Sequence, residues 1–143
     1  MIKTGFTGEY EHNLDEKGRV SLPAKIKKYI EEAAEGEELA GKIVLTKSTM
    51  RKCLEAFMAD DWQRMVASYN QNMNLKENKV DDSIVDVGRN TDTVTLDKAG
   101  RIMINGKLKE FAEIKKKVVF IGAIDRILIW SREKLDEYDK GRQ

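Results

Sequence analysis

The chain has 143 residues, the length of one ordinary domain or of two very small ones sharing a core. It is 41% hydrophobic and 36% charged, with 26 Lys and Arg against 25 Asp and Glu, so overall charge does not mark a nucleic-acid binder and such a role must come from local clustering. A single cysteine, Cys53, excludes an internal disulfide framework and a four-ligand zinc site; no segment approaches the roughly 20 apolar residues of a membrane span, and the start lacks a signal-peptide core, which sets the expectation of a cytoplasmic protein with no membrane partner.

From Glu9 the segment EYEHNLD alternates, with Tyr10, His12 and Leu14 on one face and Glu9, Glu11 and Asn13 on the other, which predicts a half-buried strand. Asp15 to Gly18 predicts a turn, because Gly18 is free to take positive φ and Asp15 can accept from nearby backbone amides. Val20 and Leu22 resume the alternation in a returning strand. Pro23, the only proline, suits the first position of a helix, and Ile26, Ile30 and Ala33, with Tyr29 alongside, give that helix an apolar stripe. Gly36 and Gly41 bracket its exit, and two strands follow, about Ile43 to Thr46 and Cys53 to Phe57. Asp60 or Asp61 is placed to cap a further helix whose Trp62, Met65, Val66 and Tyr69 share a face. Asn70 to Asp92, rich in Asn, Asp and Lys, reads as a linker holding one short element around SIVDV.

The plan then recurs. LDEKGRVSLPAKI, from Leu14, returns as LDKAGRIMINGKL, from Leu96, so that Leu14, Asp15, Gly18 and Arg19 match Leu96, Asp97, Gly100 and Arg101 at one offset of 82. At the same offset Lys25 matches Lys107, Ile26 matches Leu108 and Tyr29 matches Phe111. GKIVLT from Gly41 is echoed by KKVVFI from Lys116, each is followed by a short apolar run, and each half closes on an amphipathic segment, the second with Ser131 as its N-cap. A duplication is the economical account: a first repeat over 1–75, a linker over 76–92 and a second repeat over 93–143. Each half has four short strands and too little apolar material to close a core. The expected fold is therefore α+β and β-rich, one shared barrel about a pseudo-twofold axis with short flanking helices.

The paired LDEKGRVSLPAK and LDKAGRIMI, with GEYEHNLD before the first and IGAIDRILIW closing the second, resemble the MraZ family, built from two SpoVT/AbrB-type units marked by a repeated Asp-x-x-x-Arg. The resemblance covers nearly the whole chain. It implies a swapped-hairpin, AbrB-like barrel whose protomers assemble into a ring. It also implies sequence-specific binding of double-stranded DNA at repeated short boxes, in the nucleoid, with control of the division and cell-wall gene cluster. Two departures stand out: ING at Ile104 to Gly106 replaces the usual proline segment, and residues 79–92 are acidic and lack aromatics.

For Asp15 with Arg19, and Asp97 with Arg101, two readings stand open. Each pair is either an ion pair that fixes its turn, or a divided unit in which Asp shapes the loop while the arginine fork meets guanine O6 and N7. Gly18 and Gly100 serve the turns in both readings. Lys17, Lys25, Lys27 and Lys28 gather around Arg19, and Lys98, Lys107 and Lys109 more thinly around Arg101, as phosphate contacts that fix register without reading sequence; the first half is thus the expected principal reader. Catalysis is not expected. His12, the only histidine, sits on the apolar-facing side of its strand, no nucleotide-binding glycine loop is present, and the pairs Asp60–Asp61 and Asp81–Asp82 read as caps or loop decoration, leaving no expected metal, cofactor or small-molecule substrate. The competing functions are an oligomeric scaffold that has lost specific DNA binding and an AbrB-type antitoxin.

Overall fold

A computed structural model describes residues 2–72 and 81–142. Its elements in chain order are β1 (Glu9–Asn13), β2 (Arg19–Ser21), α1 (Ala24–Ala33), β3 (Lys42–Lys47), β4 (Leu54–Met58) and α2 (Ala59–Asn72). The second series is α3 (Asp82–Arg89), β5 (Asp92–Thr95), β6 (Arg101–Met103), α4 (Gly106–Phe111), β7 (Lys117–Gly122), β8 (Ile127–Ser131) and α5 (Arg132–Gly141). The architecture is α+β and β-rich, with short helices on two quartets of strands. The strands form a six-stranded antiparallel sheet, ordered β1-β7-β8-β4-β3-β5, and a separate two-stranded ribbon of β2 and β6.

The sheet order exchanges the halves. β1 leaves its own half to pair with β7, and β5, its repeat, pairs with β3. The registers obey the same symmetry: Tyr10 faces Phe120, while Asp92, 82 residues after Tyr10, faces Leu45, 75 residues before Phe120. The two remaining cross-half pairs map onto themselves. In the ribbon Arg19 faces Met103 and Ser21 faces Arg101, centred on Val20 opposite Ile102. In the sheet Leu54 faces Ile129 and Ala56 faces Ile127, centred on Glu55 opposite Leu128. The pseudo-twofold axis therefore runs through those two centres.

The main apolar cluster draws on both repeats around that axis. Val20 and Ile102 are each 1% exposed, and Ile26 and Ile30 of α1, Leu108 of α4 and Phe120 of β7 pack with them. Burying each such side chain is worth about 1.5–3 kcal/mol relative to leaving it in water. In β1, Tyr10 and His12 face this core as alternation requires, the His12 ring lying edge-on to Phe120 at 5.9 Å between centroids. A second, smaller cluster of Cys53, Val119, Trp130 and Leu135 lies where α5 covers the outer sheet face. Burial there pushes the Cys53 thiol up to about 12, so it stays protonated and inert at neutral pH.

Several element boundaries fall differently from expectation. β4 hands Met58 directly to α2 at Ala59, so Asp60 and Asp61 lie in the first turn of the helix instead of capping it. There they still meet the positive end of its dipole; Asp60 also accepts from the Glu35 amide at 3.3 Å, and Asp61 pairs with Arg64. Pro23 is the N-cap of α1, with extended ψ of 139°, one position before the helix it was expected to open. Cys53 sits in the turn before β4. Within the expected linker, Asp81 caps α3 by accepting from the Ile84 amide at 3.0 Å, and residues 73–80 lie outside the described residues. Trp62 packs against Phe57, and Met65, Val66 and Tyr69 line an open apolar groove with Ile84 and Val87 of α3.

A core shared across the axis has a measurable signature. Ile102→Ala should cost about 2–5 kcal/mol in denaturant unfolding. Because Trp62 belongs to one repeat and Trp130 to the other, single-tryptophan variants should report the same midpoint; two separated midpoints would show independently folding halves.

Candidate nucleic-acid interface

Each copy of the repeated phrase closes its turn by the same set of bonds. In the first, the Asp15 Oδ1 accepts from the amides of Lys17 and Arg19 at 2.9 and 2.8 Å, and Oδ2 accepts from Arg19 Nε at 2.8 Å. In the second, Asp97 Oδ1 accepts from the amides of Ala99 and Arg101, both at 2.9 Å, and Oδ2 from Arg101 Nε at 2.8 Å. Backbone bonds complete each loop: the Gly18 amide donates to Asp15 O and the Gly100 amide to Asp97 O. These turns require left-handed backbone at φ of +81° and +77°, which is why glycine stands at 18 and 100.

Each carboxylate is thus committed to shaping its loop. The backbone hydrogen bond donated by Arg19 is the main cause that holds Asp15 below the ordinary carboxylate range; desolvation opposes it, and the Arg19 side chain and the Lys17 amide lower it further. Asp97 is held down in the same way by Arg101. The two arginine side chains, 28% and 33% exposed, each hydrogen-bond their carboxylate through Nε, and among the described residues no Nη hydrogen bond to that carboxylate is present. An arginine anchored by Nε keeps its two-pronged end for another acceptor.

The loops sit at the two ends of the β2–β6 ribbon, since Arg19 faces Met103 and Arg101 faces Ser21. With Val20 and Ile102 turned inward, strand alternation sends Arg19, Ser21, Arg101 and Met103 to the other face, where Met103 is 51% exposed. The loops are also bonded across the axis: the Leu22 amide donates to Gly100 O at 3.0 Å and the Ile104 amide to Gly18 O at 2.9 Å. One face therefore carries two arginines whose backbones are locked to one another.

The lysines are distributed less evenly than their order in the chain suggests. Lys17 and Lys98 are exposed in their own loops, and Lys25 is exposed on the first turn of α1, beside a groove lined by Thr4, Phe6 and Tyr29. Lys28 is 76% exposed and pairs loosely with Glu32 at 3.9 Å. Lys27, counted with Arg19 in the sequence, lies against Gly100 of the other loop. Lys107 turns its Nζ to Arg89 O at 3.2 Å. Sequence reasoning passed over Asn105, which stands where the first half has Pro23. Its side chain accepts from the Leu108 amide at 2.9 Å to cap α4, and donates to Asp92 at 3.1 Å. The signal was present as a cap-type residue three positions before Leu108. Among the described residues no cluster of three His, Cys, Asp or Glu is arranged to hold a metal ion, and no helix is long and apolar enough to cross a membrane.

The loop carboxylates make a pH prediction. Asp15 and Asp97 are lowered from 3.8, so their contribution is complete above that value and is lost as pH falls through the lower native one. The thermal midpoint of wild type should exceed those of Asp15→Asn and Asp97→Asn at about pH 6, and the gap should narrow as pH falls below 3.8. A gap that persists unchanged at the acid end would remove the ionised carboxylate from the account.

Comparison with known proteins places these loops in company. The family model described as "MraZ protein, putative antitoxin-like" matches residues 6–83 and 88–142. A transcriptional regulator MraZ of Caldanaerobacter subterraneus subsp. tengcongensis is 37% identical over 134 residues, covering 93% of this chain and 85% of the relative. Another of the same name, from Clostridium beijerinckii, is 36% identical over 135 residues, covering 94% and 87%. A third, from Thermoanaerobacter sp. (strain X514), is 36% identical over 132 residues, covering 92% and 84%.

Proposed function

The chain belongs to the MraZ family, and from that premise we propose that it is a sequence-specific, DNA-binding transcriptional regulator. It acts in the cytoplasm, at the nucleoid, on the promoter of the division and cell-wall gene cluster that includes its own gene. The observation that carries this reading is the pair of loops in which carboxylate bonds hold an arginine by Nε, with no Nη hydrogen bond to the same carboxylate among the described residues. Arg19 and Arg101 meet base edges, where a planar fork matches guanine O6 and N7. Lys17, Lys98 and Lys25 neutralise phosphates, and Asp15, Gly18, Asp97 and Gly100 shape the loops.

Energetics argue for several protomers on one DNA. A good bidentate arginine contact gives about 1–3 kcal/mol of discrimination, whereas specific binding needs roughly 4–10 kcal/mol over non-specific. Two arginines in one protomer reach the lower part of that range at best. A ring of protomers on repeated short boxes supplies the remainder through effective concentration. The near-neutral net charge of +1 fits this reading, because non-specific attraction by a single protomer is then weak.

The test is retention of a duplex carrying the upstream promoter region of the chain's own gene. Arg19→Ala and Arg101→Ala should each weaken it about 5- to 150-fold relative to a scrambled duplex, with the oligomer intact. Equal, weak binding of both duplexes by wild type would favour an oligomeric scaffold. Loss of assembly in Arg19→Ala would reduce the ion pair to a structural device.

A further inference from the structure

We propose that Lys27, on α1 of the first repeat, is a phosphate contact of the second loop, so that the Arg101 site is built by both halves of the chain. This rests on the DNA-binding reading and extends it. The cause lies in the ribbon: the Leu22 amide donates to Gly100 O, and α1 begins two residues after Leu22, so its first turn stands beside the second loop. From there the Lys27 side chain crosses Gly100. A Cβ built on that glycine would meet Lys27 Cδ at 3.0 Å, Cε at 3.1 Å and Nζ at 3.3 Å. The aliphatic stem covers the bare glycine, and the ammonium is delivered to the loop that presents Arg101.

The charge at Nζ is largely uncommitted. Among the described residues its one ion pair is with Glu31, an exposed i,i+4 contact at 3.8 Å with the lysine side chain 38% exposed. Such pairs are worth little and yield readily to a phosphate. The other half does not repeat the arrangement. Lys109 is the repeat of Lys27, yet only Ile104 O comes within 4 Å of a Cβ built on Gly18, and Lys107 is directed to Arg89 O.

The consequence is a redistribution of positive charge. Residues 15–19 hold Asp15, Glu16, Lys17 and Arg19 and are neutral; residues 97–101 hold Asp97, Lys98 and Arg101 and carry +1. Lys27 raises the second site to +2. By this count the second loop is already the more positive of the two in the linear sequence, and Lys27, with Glu31 3.8 Å from its Nζ, widens the difference. In DNA binding the second loop supplies the firmer grip on the backbone.

The experiment measures affinity against salt for the upstream promoter duplex and for a scrambled duplex of equal length. Lys27→Met keeps the stem over Gly100 and removes the charge; Lys140→Met, at an exposed lysine of α5, is the control, and Lys27→Arg the rescue. On both duplexes Lys27→Met should flatten the slope of log affinity against log salt by about 0.9 for each protomer bound, so that a fourfold rise in salt costs about 3.5-fold less affinity per bound protomer than in wild type. Lys140→Met should keep the wild-type slope and Lys27→Arg restore it. The loss from Lys27→Met should shrink in an Arg101→Ala background and stay whole in an Arg19→Ala background. Equal flattening by both methionine variants, or coupling to Arg19 instead, overturns the assignment of Lys27 to the second loop. Wild type that discriminates the duplexes, with Lys27→Met at the wild-type slope, overturns this inference alone. Wild type that does not discriminate them overturns the DNA-reading function together with it.

Discussion

The structure depends on one short antiparallel contact, the three-residue ribbon of β2 and β6. Its centre, Val20 opposite Ile102, is buried in the middle of the apolar cluster, and its ends are tied by the bonds to Gly18 O and Gly100 O. Those bonds fix where each chain segment leaves the ribbon, and so where α1 and α4 begin. They also set the two Asp–Arg turns at opposite ends of one strip. Removing the ribbon would leave β1 and β5 without a reason to cross to the other half, because the turns that aim them start from it. Hydrophobic burial supplies the favourable free energy here, and the ribbon's hydrogen bonds choose the geometry in which it is gained.

Symmetry governs the frame and gives way at the surface. The exchanged ladders keep their registers across the offset, yet the entry to α1 is an unadorned proline while the entry to α4 is capped by Asn105 and linked to Asp92. α1 runs ten residues and α4 six. The helix following β4 extends fourteen residues and shares an apolar groove with α3, whereas the one following β8 runs ten and buries Leu135. The core must satisfy both halves at once, so a change there is felt twice. A surface residue answers only to its own neighbours.

Much of this was legible in the chain, and what escaped has a definite physical origin. Alternation in EYEHN and in the strand after Gly18 fixed which side chains face inward, because strand period is a local property. The turn chemistry of Asp15 with Gly18, the stripe of Ile26 and Ile30, and the Ser131 cap were likewise local. The repeat offset led to a pseudo-twofold. Periodicity names a face and never a partner, so the pairing of β1 with β7 was not legible, and the likeness to a known family implied only a swapped-hairpin barrel. The α2 start was misplaced because a strand running straight into a helix leaves no cap to recognise. Lys27 was assigned to the nearer arginine in sequence because linear proximity was the only distance available. In the folded chain Lys27 lies against Gly100, in the loop that precedes Arg101.

The self-mapping registers of β2 with β6 and of β4 with β8 bear on ancestry. A contact that maps onto itself is what two identical chains form in an isologous dimer. A single repeat, folding alone, would need a second copy to complete every ladder that here crosses between halves, and its stability would rise and fall with its own concentration. Joining the copies through one peptide makes that encounter intramolecular and its stability independent of dilution. It also frees each copy to mutate without imposing the change on its twin. Pro23 against Asn105, and Lys27 against Gly100 with no lysine in the matching place by Gly18, are what such freedom leaves behind: a fused dimer can be lopsided.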